Sequence, residues 1–379
     1  MPRVNLDHNA TAPLRPAARE AALRWLDAAN PSSVHSEGRA ARRAVEDARE
    51  SVRGALGAPG GTIVFTSGAT EAAALALSPE WRDGRSPLRF ERLLVAATEH
   101  PCVLGGGRFS PDAVETVAVD GSGLLDLGAL CDALADGPAL VAVMLANNET
   151  GVVQDIPAIA RVVHEAGGLL VCDATQGVGR IPTALDVLGA DVLIASSHKV
   201  GGPMGAGAVV ARRGGPLPLP VARAGGQEDG HRGGTENVAA IAGFAAALDE
   251  VVDLAPIARV RALHDRLETR ARSLGFVIHG AGAPRLPNTT LLSFAHLTAE
   301  TAQIAFDLDG IAVSTGSACA SGKVGPSHVL AAMGADAPGA LRLSLGRETT
   351  DEDIDRATAT LERLAARDAV KRQTLMRAA

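Results

Sequence analysis

Leu169-Leu170-Val171-Cys172-Asp173-Ala174-Thr175-Gln176 and Val192-Leu193-Ile194-Ala195-Ser196-Ser197-His198-Lys199 are built alike. Each opens on an unbroken apolar run of strand length and ends in polar, chemically capable side chains. Successive strand residues face opposite sides, so a run with no polar alternation is buried on both faces, as in a parallel sheet covered by helices. Ile63-Val64-Phe65, Leu93-Leu94-Val95-Ala96 and Leu140 to Leu145 read the same way, and helical patterns over Asp126 to Ala135 and Ile156 to Ala166 lie between such runs. This alternation predicts an α/β fold with a largely parallel sheet. Ligands of such sheets sit beyond the carboxyl ends of the strands, so the residues that follow each run are the site candidates.

Working outward, Pro16 to Ala29 and Arg39 to Leu56 read as amphipathic helices. The arginines at 39, 42 and 43 could form an anion site, but a solvated helix face explains them better. A Gly/Pro-rich stretch runs from Gly201 to Pro220, and Gly225-Gly226 and Gly233-Gly234 bracket a polar loop. A long helical region follows from Ala239 to about Arg272, broken near Pro256. Short strands (Phe276 to His279, Thr289 to Phe294, Leu341 to Leu345) and a final helix from Asp351 complete the chain. At 379 residues the chain exceeds what one core usually organises, so a second domain is expected from about residue 255.

A net charge of -7 with interspersed signs argues against a nucleic-acid surface, and 46% hydrophobic with 21% charged residues is the profile of a soluble globular enzyme. No run has the roughly 18 apolar residues that span a bilayer, and the first residues lack the apolar segment of a secretion signal. Cys102, Cys131, Cys172 and Cys319 are scattered with no C-x-x-C pair, so neither a metal site nor a disulfide framework is expected, and a reducing cytoplasm fits best. With no Tyr in the chain, any task a phenol could perform falls to another residue.

Three signals carry chemistry. Thr66-Ser67-Gly68-Ala69-Thr70-Glu71 follows the Ile63 to Phe65 run and places free N–H groups and hydroxyls at the positive end of a helix, a phosphate cradle. An ordinary N-cap would account for it if it stood alone. Asp173 ends its strand, where a carboxylate can keep a pyridine nitrogen protonated or simply cap a helix. Lys199 ends another; a lysine inside a protein is costly as a free cation, and a Schiff base gives it a reason to be there. Together they set a cradle, a carboxylate and a lysine beyond strands of one sheet. His100, after Leu93 to Ala96, adds a ring that could stack on a cofactor and move protons, or cap a helix.

At this point the chain resembles the pyridoxal-phosphate (PLP) cysteine desulfurases of the class V aminotransferase group, almost from end to end. The matching stretches are Leu6 to Thr11, Asn30 to His35 with Gly38-Arg39, Thr66 to Glu71, Glu99-His100-Pro101, Asn147 to Gly151, Asp173 to Gln176 and Ser196 to Lys199. Arg232 to Asn237, Gly316 to Cys319, Ser327 to Leu330 and Arg342 to Gly346 complete the set. The resemblance implies an aspartate-aminotransferase-like fold, with a large domain over 15–254 and a small one formed by 1–14 with 255–379. It implies that Lys199 holds PLP as a Schiff base and later moves protons, Asp173 pairs with the pyridine nitrogen, His100 stacks on the ring and Gln176 contacts the phenolic oxygen. Ala69, Thr70, Ser196 and His198 would surround the phosphate, with Thr235 arriving from a second subunit of a homodimer. Asn148, which also belongs to the cofactor pocket, and Arg342 would hold the carboxylate of L-cysteine. Cys319, flanked by small residues, would take the sulfur as a persulfide and pass it to a protein acceptor such as an iron–sulfur scaffold or sulfur carrier. Cys102, Cys131 and Cys172 are read as packing.

The chain departs from the pattern at His8, Ala73-Ala74, Ser197, Gly201, Met204 and Asp229. None of these removes a bond-making group; they bear on pocket shape and partner affinity. A selenocysteine lyase or other PLP lyase or transaminase is the neighbouring alternative, and a non-catalytic sulfur-transfer subunit the distant one.

Overall fold

The computed structural model describes residues 2–221, 225–315, 327–335, 337 and 340–378, with side chains described to residue 371. Its centre is a seven-stranded sheet in the order Thr62–Thr66, Gly207–Ala211, Val192–Ser196, Leu169–Asp173, Leu140–Met144, Leu93–Ala96, Val114–Val117. All neighbours pair in parallel except Gly207–Ala211, which runs antiparallel to the strands on both sides. The unbroken apolar runs have the cause inferred from sequence. Leu94, Val141, Val143, Leu170, Cys172, Leu193 and Ala195 face one core, while Leu93, Val95, Leu140, Ala142, Leu169, Val171 and Ile194 face another. The first core is closed by the helices Ser36–Ala55, Ile156–Glu165 and Val238–Val251, the second by Ala69–Ala76 and the buried Trp81 and Phe90.

A four-stranded antiparallel sheet (Val277–Ile278, Thr289–Ser293, Ala340–Ser344, Ser314–Thr315) forms a separate layer. Leu292, Leu341 and Leu343 pack there against Val260, Leu263 and Leu267 of the helix Ile257–Ser273, Phe306 of Ala299–Leu308, and Ile354 and Leu361 of the last helix. Val4 and Leu6 join this same core, and Val4–Asn5 pairs in parallel with Ile311–Ala312. The N-terminal segment, paired with Ile311–Ala312 in a two-stranded sheet of its own, runs on to the large sheet, where the Ala12 N–H donates to the His198 carbonyl at 3.0 Å.

Three local features differ from the sequence expectation. The first helix, expected over Pro16 to Ala29, spans Pro16–Arg24; beyond it Trp25, Leu26 and Ala28 donate to carbonyls three residues back, a run of tight turns instead of α-helix. The second starts earlier, at Ser36, because His35 Nδ1 accepts the Gly38 N–H at 3.3 Å and caps it. Its buried positions Gly38, Ala41, Val45, Ala48 and Val52 have helical spacing, and Arg39, Arg42 and Arg43 lie on the solvated face. The hairpin Glu80–Asp83 with Ser86–Arg89, extended by Leu217–Pro218, was not expected; only its Asp83-Gly84 turn is visible in sequence, with Gly84 at φ +56°.

A buried ion pair anchors the polar loop to the sheet. Arg49 holds Glu228 through two bonds of 2.7 and 3.0 Å, and Glu228 also accepts the Phe65 N–H at 2.8 Å. Glu228 and Asp229 both have positive φ, a conformation non-glycine residues hold only when their surroundings enforce it. Glu228→Ala would leave Arg49 with only the more exposed Glu46 as a carboxylate partner and is expected to destabilise the fold by about 2–3 kcal/mol. The double variant Arg49→Met/Glu228→Ala should lose less than Glu228→Ala alone in urea unfolding; equal losses would contradict this pairing.

Candidate active site

Because six of the seven strands of the large sheet run the same way, their carboxyl ends open on one edge. A cavity of about 460 Å³ lies there, lined among others by Thr11, Ser67 to Glu71, His100, Asn148, Asp173, Gln176, Ser196, His198 and Lys199. It brings together Ala69, Thr70, His100, Asn148, Asp173, Gln176, Ser196, His198 and Lys199 from the sequence reading. The cradle is built by a sharp turn. Gly68 has φ 157° and ψ 179°, a region essentially reserved for glycine, and caps the helix Ala69–Ala76. A Cβ on Gly207, in the neighbouring strand, would come within 2.7 Å of the Gly68 Cα, so this turn requires close backbone approach. Ser67 N–H donates to Glu71 Oε2 at 2.6 Å, while Glu71 Oε1 accepts Arg232 Nε at 2.9 Å. The first N–H groups of a helix have no intrahelical acceptor and suit an anion.

Asp173 ends its strand buried, and its Oδ1 accepts the Thr175 N–H at 2.9 Å. The Thr175 hydroxyl oxygen is buried beside it with no protein partner. Lys199 closes a short 3₁₀ turn after Ser196 and donates from Nζ to the carbonyls of Asn9 (2.7 Å) and Ala10 (3.0 Å). His198 stands 3.1 Å from the Thr11 hydroxyl; burial, and then the nearby Lys199 charge, push it down to about 4, so it is neutral near pH 7. His100 is lowered too, first by burial and then by Lys199 and His328 against the opposing pull of Asp173. It does cap the short helix Pro101–Leu104: its Nδ1 accepts the Cys102 N–H, leaving the proton of the neutral ring on Nε2. Capping and a place on the cavity wall coexist.

Other candidates lie elsewhere. Arg342 is fully buried but stands behind Asn148 and off the cavity wall. Its Nη1 donates to the Asn148 carbonyl at 2.9 Å and its Nη2 to Asp7 Oδ1 at 2.7 Å, while its Nε has no protein partner. Thr235 is exposed and lines an adjoining pocket that shares Ser67 and Gly205 with the cavity. Cys319 lies outside the described residues. Cys131 is exposed, whereas Cys172 is buried in the core as expected. Cys102 packs against the core and also lines the cavity; burial pushes its thiol up to about 12, which removes it as a nucleophile at neutral pH.

Two buried carboxyls have roles that the sequence did not reveal, although both sit in matching stretches. Glu99 accepts the Met144 N–H at 2.6 Å, and burial drives it far above the carboxylate range, so it is a neutral acid. Burial pushes Glu149 up to about 7 against the opposing effects of the Ser327 hydroxyl, which donates to it at 2.6 Å, and Arg342.

Cradle, carboxylate, lysine, ring and a buried unpartnered hydroxyl form one donor set, and it fits PLP. Phosphate suits the Gly68 turn, and a pyridinium suits Asp173. Among the described residues no group of His, Cys, Asp or Glu could hold a metal ion.

The low value of His198 has a consequence for stability. Unfolded, it titrates near 6.5; folded, near 4, so between these values the unfolded chain binds more protons and stability falls as pH drops. In urea unfolding across that window, His198→Gln is expected to lose less stability than the wild type; parallel losses would contradict a neutral His198.

The model of the class V aminotransferase family matches residues 4–357. The chain is 38% identical to a cysteine desulfurase of Enterobacter agglomerans, over 97% of this chain and 94% of that one. It is 41% identical to a cysteine desulfurase of Cereibacter sphaeroides, over 94% of each. Its structure is similar to that of a NifS-like protein from Rickettsia africae, with a TM-score of 0.86 and 32% identity over 95% of this chain and 99% of that one. The chain belongs to the class V aminotransferase family and, within it, to the cysteine desulfurases.

Proposed function

We propose that this cavity binds PLP and removes sulfur from L-cysteine, giving L-alanine, with Cys319 receiving the sulfur as a persulfide. The observation that carries the reading is the meeting of Asp173, Lys199, His100 and the Gly68 cradle around one cavity at the carboxyl edge of the sheet. Bound PLP supplies an electron sink for the carbanion left when the substrate Cα loses its proton. The chain supplies the rest. Asp173 would hold the proton on the ring nitrogen, and the amides of Ala69 and Thr70, with Ser196 and the neutral His198, would hold the phosphate. Lys199 would hold the cofactor and, once its amine is free, take the substrate Cα proton and return one. Asn148 faces the cavity to orient the substrate, and Arg342, from behind, holds the Asn148 carbonyl in place.

The Cys319 thiolate attacks the substrate sulfur. An S–S bond forms, the C–S bond breaks with its electrons going to the substrate carbon, and that carbon is protonated to give alanine. A solved structure titled SspA in complex with cysteine has a similar fold, with a TM-score of 0.75 and 28% identity, and supports L-cysteine as the substrate. Thr235, exposed and off its own cavity, is available to the cavity of a second copy, which supports a homodimer. A protein sulfur acceptor and a cytoplasmic setting complete the proposal. Among the described residues no helix is long and apolar enough to cross a membrane.

With L-cysteine and a reductant, the wild type is expected to release alanine and sulfide in equal amounts. Cys319→Ala should release neither while retaining the cofactor; unchanged release would point to a simple lyase. Lys199→Ala should lower alanine formation by ~10²–10⁴-fold, the usual weight of a proton-transfer group. A smaller loss would assign the proton to another residue.

A further inference from the structure

Arg180 is a buried cation that the chemistry above does not use. It lies in the turn that follows Asp173, and burial, then the Arg342 charge, lowers it to about 10, which leaves it charged at neutral pH. Its hydrogen-bond acceptors are all uncharged: the Gln176 carbonyl at 2.7 Å, Gln176 Oε1 at 2.9 Å and the His8 carbonyl at 3.5 Å. Among the described residues no carboxylate forms an ion pair with it, an expensive state for a guanidinium out of water.

Its position fixes the orientation of one amide. A guanidinium has donors only, so Gln176 must turn its Oε1 toward Arg180 and its NH₂ away. One N–H of that group donates to the Asn9 carbonyl at 3.0 Å, the same carbonyl that accepts Lys199 Nζ at 2.7 Å. Gln176 also lines the cavity, so what remains for a ligand there is the second N–H. We infer that Arg180 is a positioning residue that locks the Gln176 amide with its donor face toward the cavity, making that wall specific for an anionic oxygen. In bound PLP that oxygen is the phenolate, so the inference rests on the PLP reading above. The uncompensated charge behind the amide strengthens the preference, because a low-dielectric interior screens it poorly. An acceptor at the same place would meet no donor if the amide flipped, and Arg180 on Oε1 opposes that flip together with the Asn9 carbonyl on Nε2.

The test uses the PLP-loaded protein and reads the absorption band of the bound cofactor and its rate of loss on dialysis. Arg180→Met is expected to move the band and speed cofactor loss by about tenfold, the scale of one charge-assisted hydrogen bond. Arg180→Lys, which keeps a cationic donor, should restore both toward wild type. In a Gln176→Leu background, adding Arg180→Met should change neither further, since Arg180 acts through that amide. A wild-type band and loss rate in Arg180→Met would overturn the inference, as would an undiminished effect in the Gln176→Leu background. Thermal unfolding of the cofactor-free forms monitors folding; if Arg180→Met does not fold, Arg180→Gln replaces it with the same expectations. A wild type that takes up no PLP overturns the PLP reading itself, whereas a band indifferent to Arg180 overturns only this step.

Discussion

The buried amide and backbone of Asn9 join what the two sheets hold apart. Its carbonyl accepts Lys199 Nζ and Gln176 Nε2 on the side of the large sheet. Its side chain donates to the Asn148 carbonyl and the Thr289 hydroxyl and accepts from Asn288, while its N–H donates to the Ser344 hydroxyl. One residue thus connects the lysine, the turn carrying Asn148 and two strands of the small sheet. Each such group left unpaired in the interior would cost about 1–3 kcal/mol, so the arrangement is strongly preferred over neighbours in which any of them parts. The N-terminal segment can make this junction because Val4 and Leu6 are buried in the small core and the next few residues have only a short gap to cross.

The charges around the cavity follow from the same enclosure. Burial keeps Glu99 neutral and His198 and His100 unprotonated, so the charged groups that remain at the cavity wall stand out. Arg342 is matched by Asp7, whereas Arg180 is matched only by amides and carbonyls. Lys199 is thus the cationic side chain on the wall facing Asp173 and Glu71, while Arg180 and Arg342 stand behind it.

Five of the seven strands of the large sheet were legible because burial on both faces demands apolar residues at every position; Val114–Val117, with exposed Glu115 and Thr116, and Gly207–Ala211, inside a Gly/Pro-rich stretch, were not. The cradle, Asp173 and Lys199 were legible as strand-end residues for the same reason. Helix ends were less so: the tight turns after Arg24 and the cap supplied by His35 depend on local hydrogen bonds that leave no periodic trace. The hairpin around Trp81 alternates with charged residues and escaped notice, although Trp81 is fully buried with its Nε1 donating to the Ser78 carbonyl. Arg342 was identified as a residue but not in its place, because its setting behind Asn148 is a tertiary fact. The role of Arg180 was hidden for a similar reason: nothing in its neighbours' spelling shows that no carboxylate meets it.

The central claim is that Lys199 is the lysine joined to the cofactor. The lysines of this chain are Lys199, Lys323 and Lys371, so a covalent label can be assigned without ambiguity. Borohydride reduction of the PLP-loaded protein, followed by peptide mapping, should place the phosphopyridoxyl group on Lys199. A label on Lys323 or Lys371, or PLP that binds without being trapped on any lysine, would contradict the account.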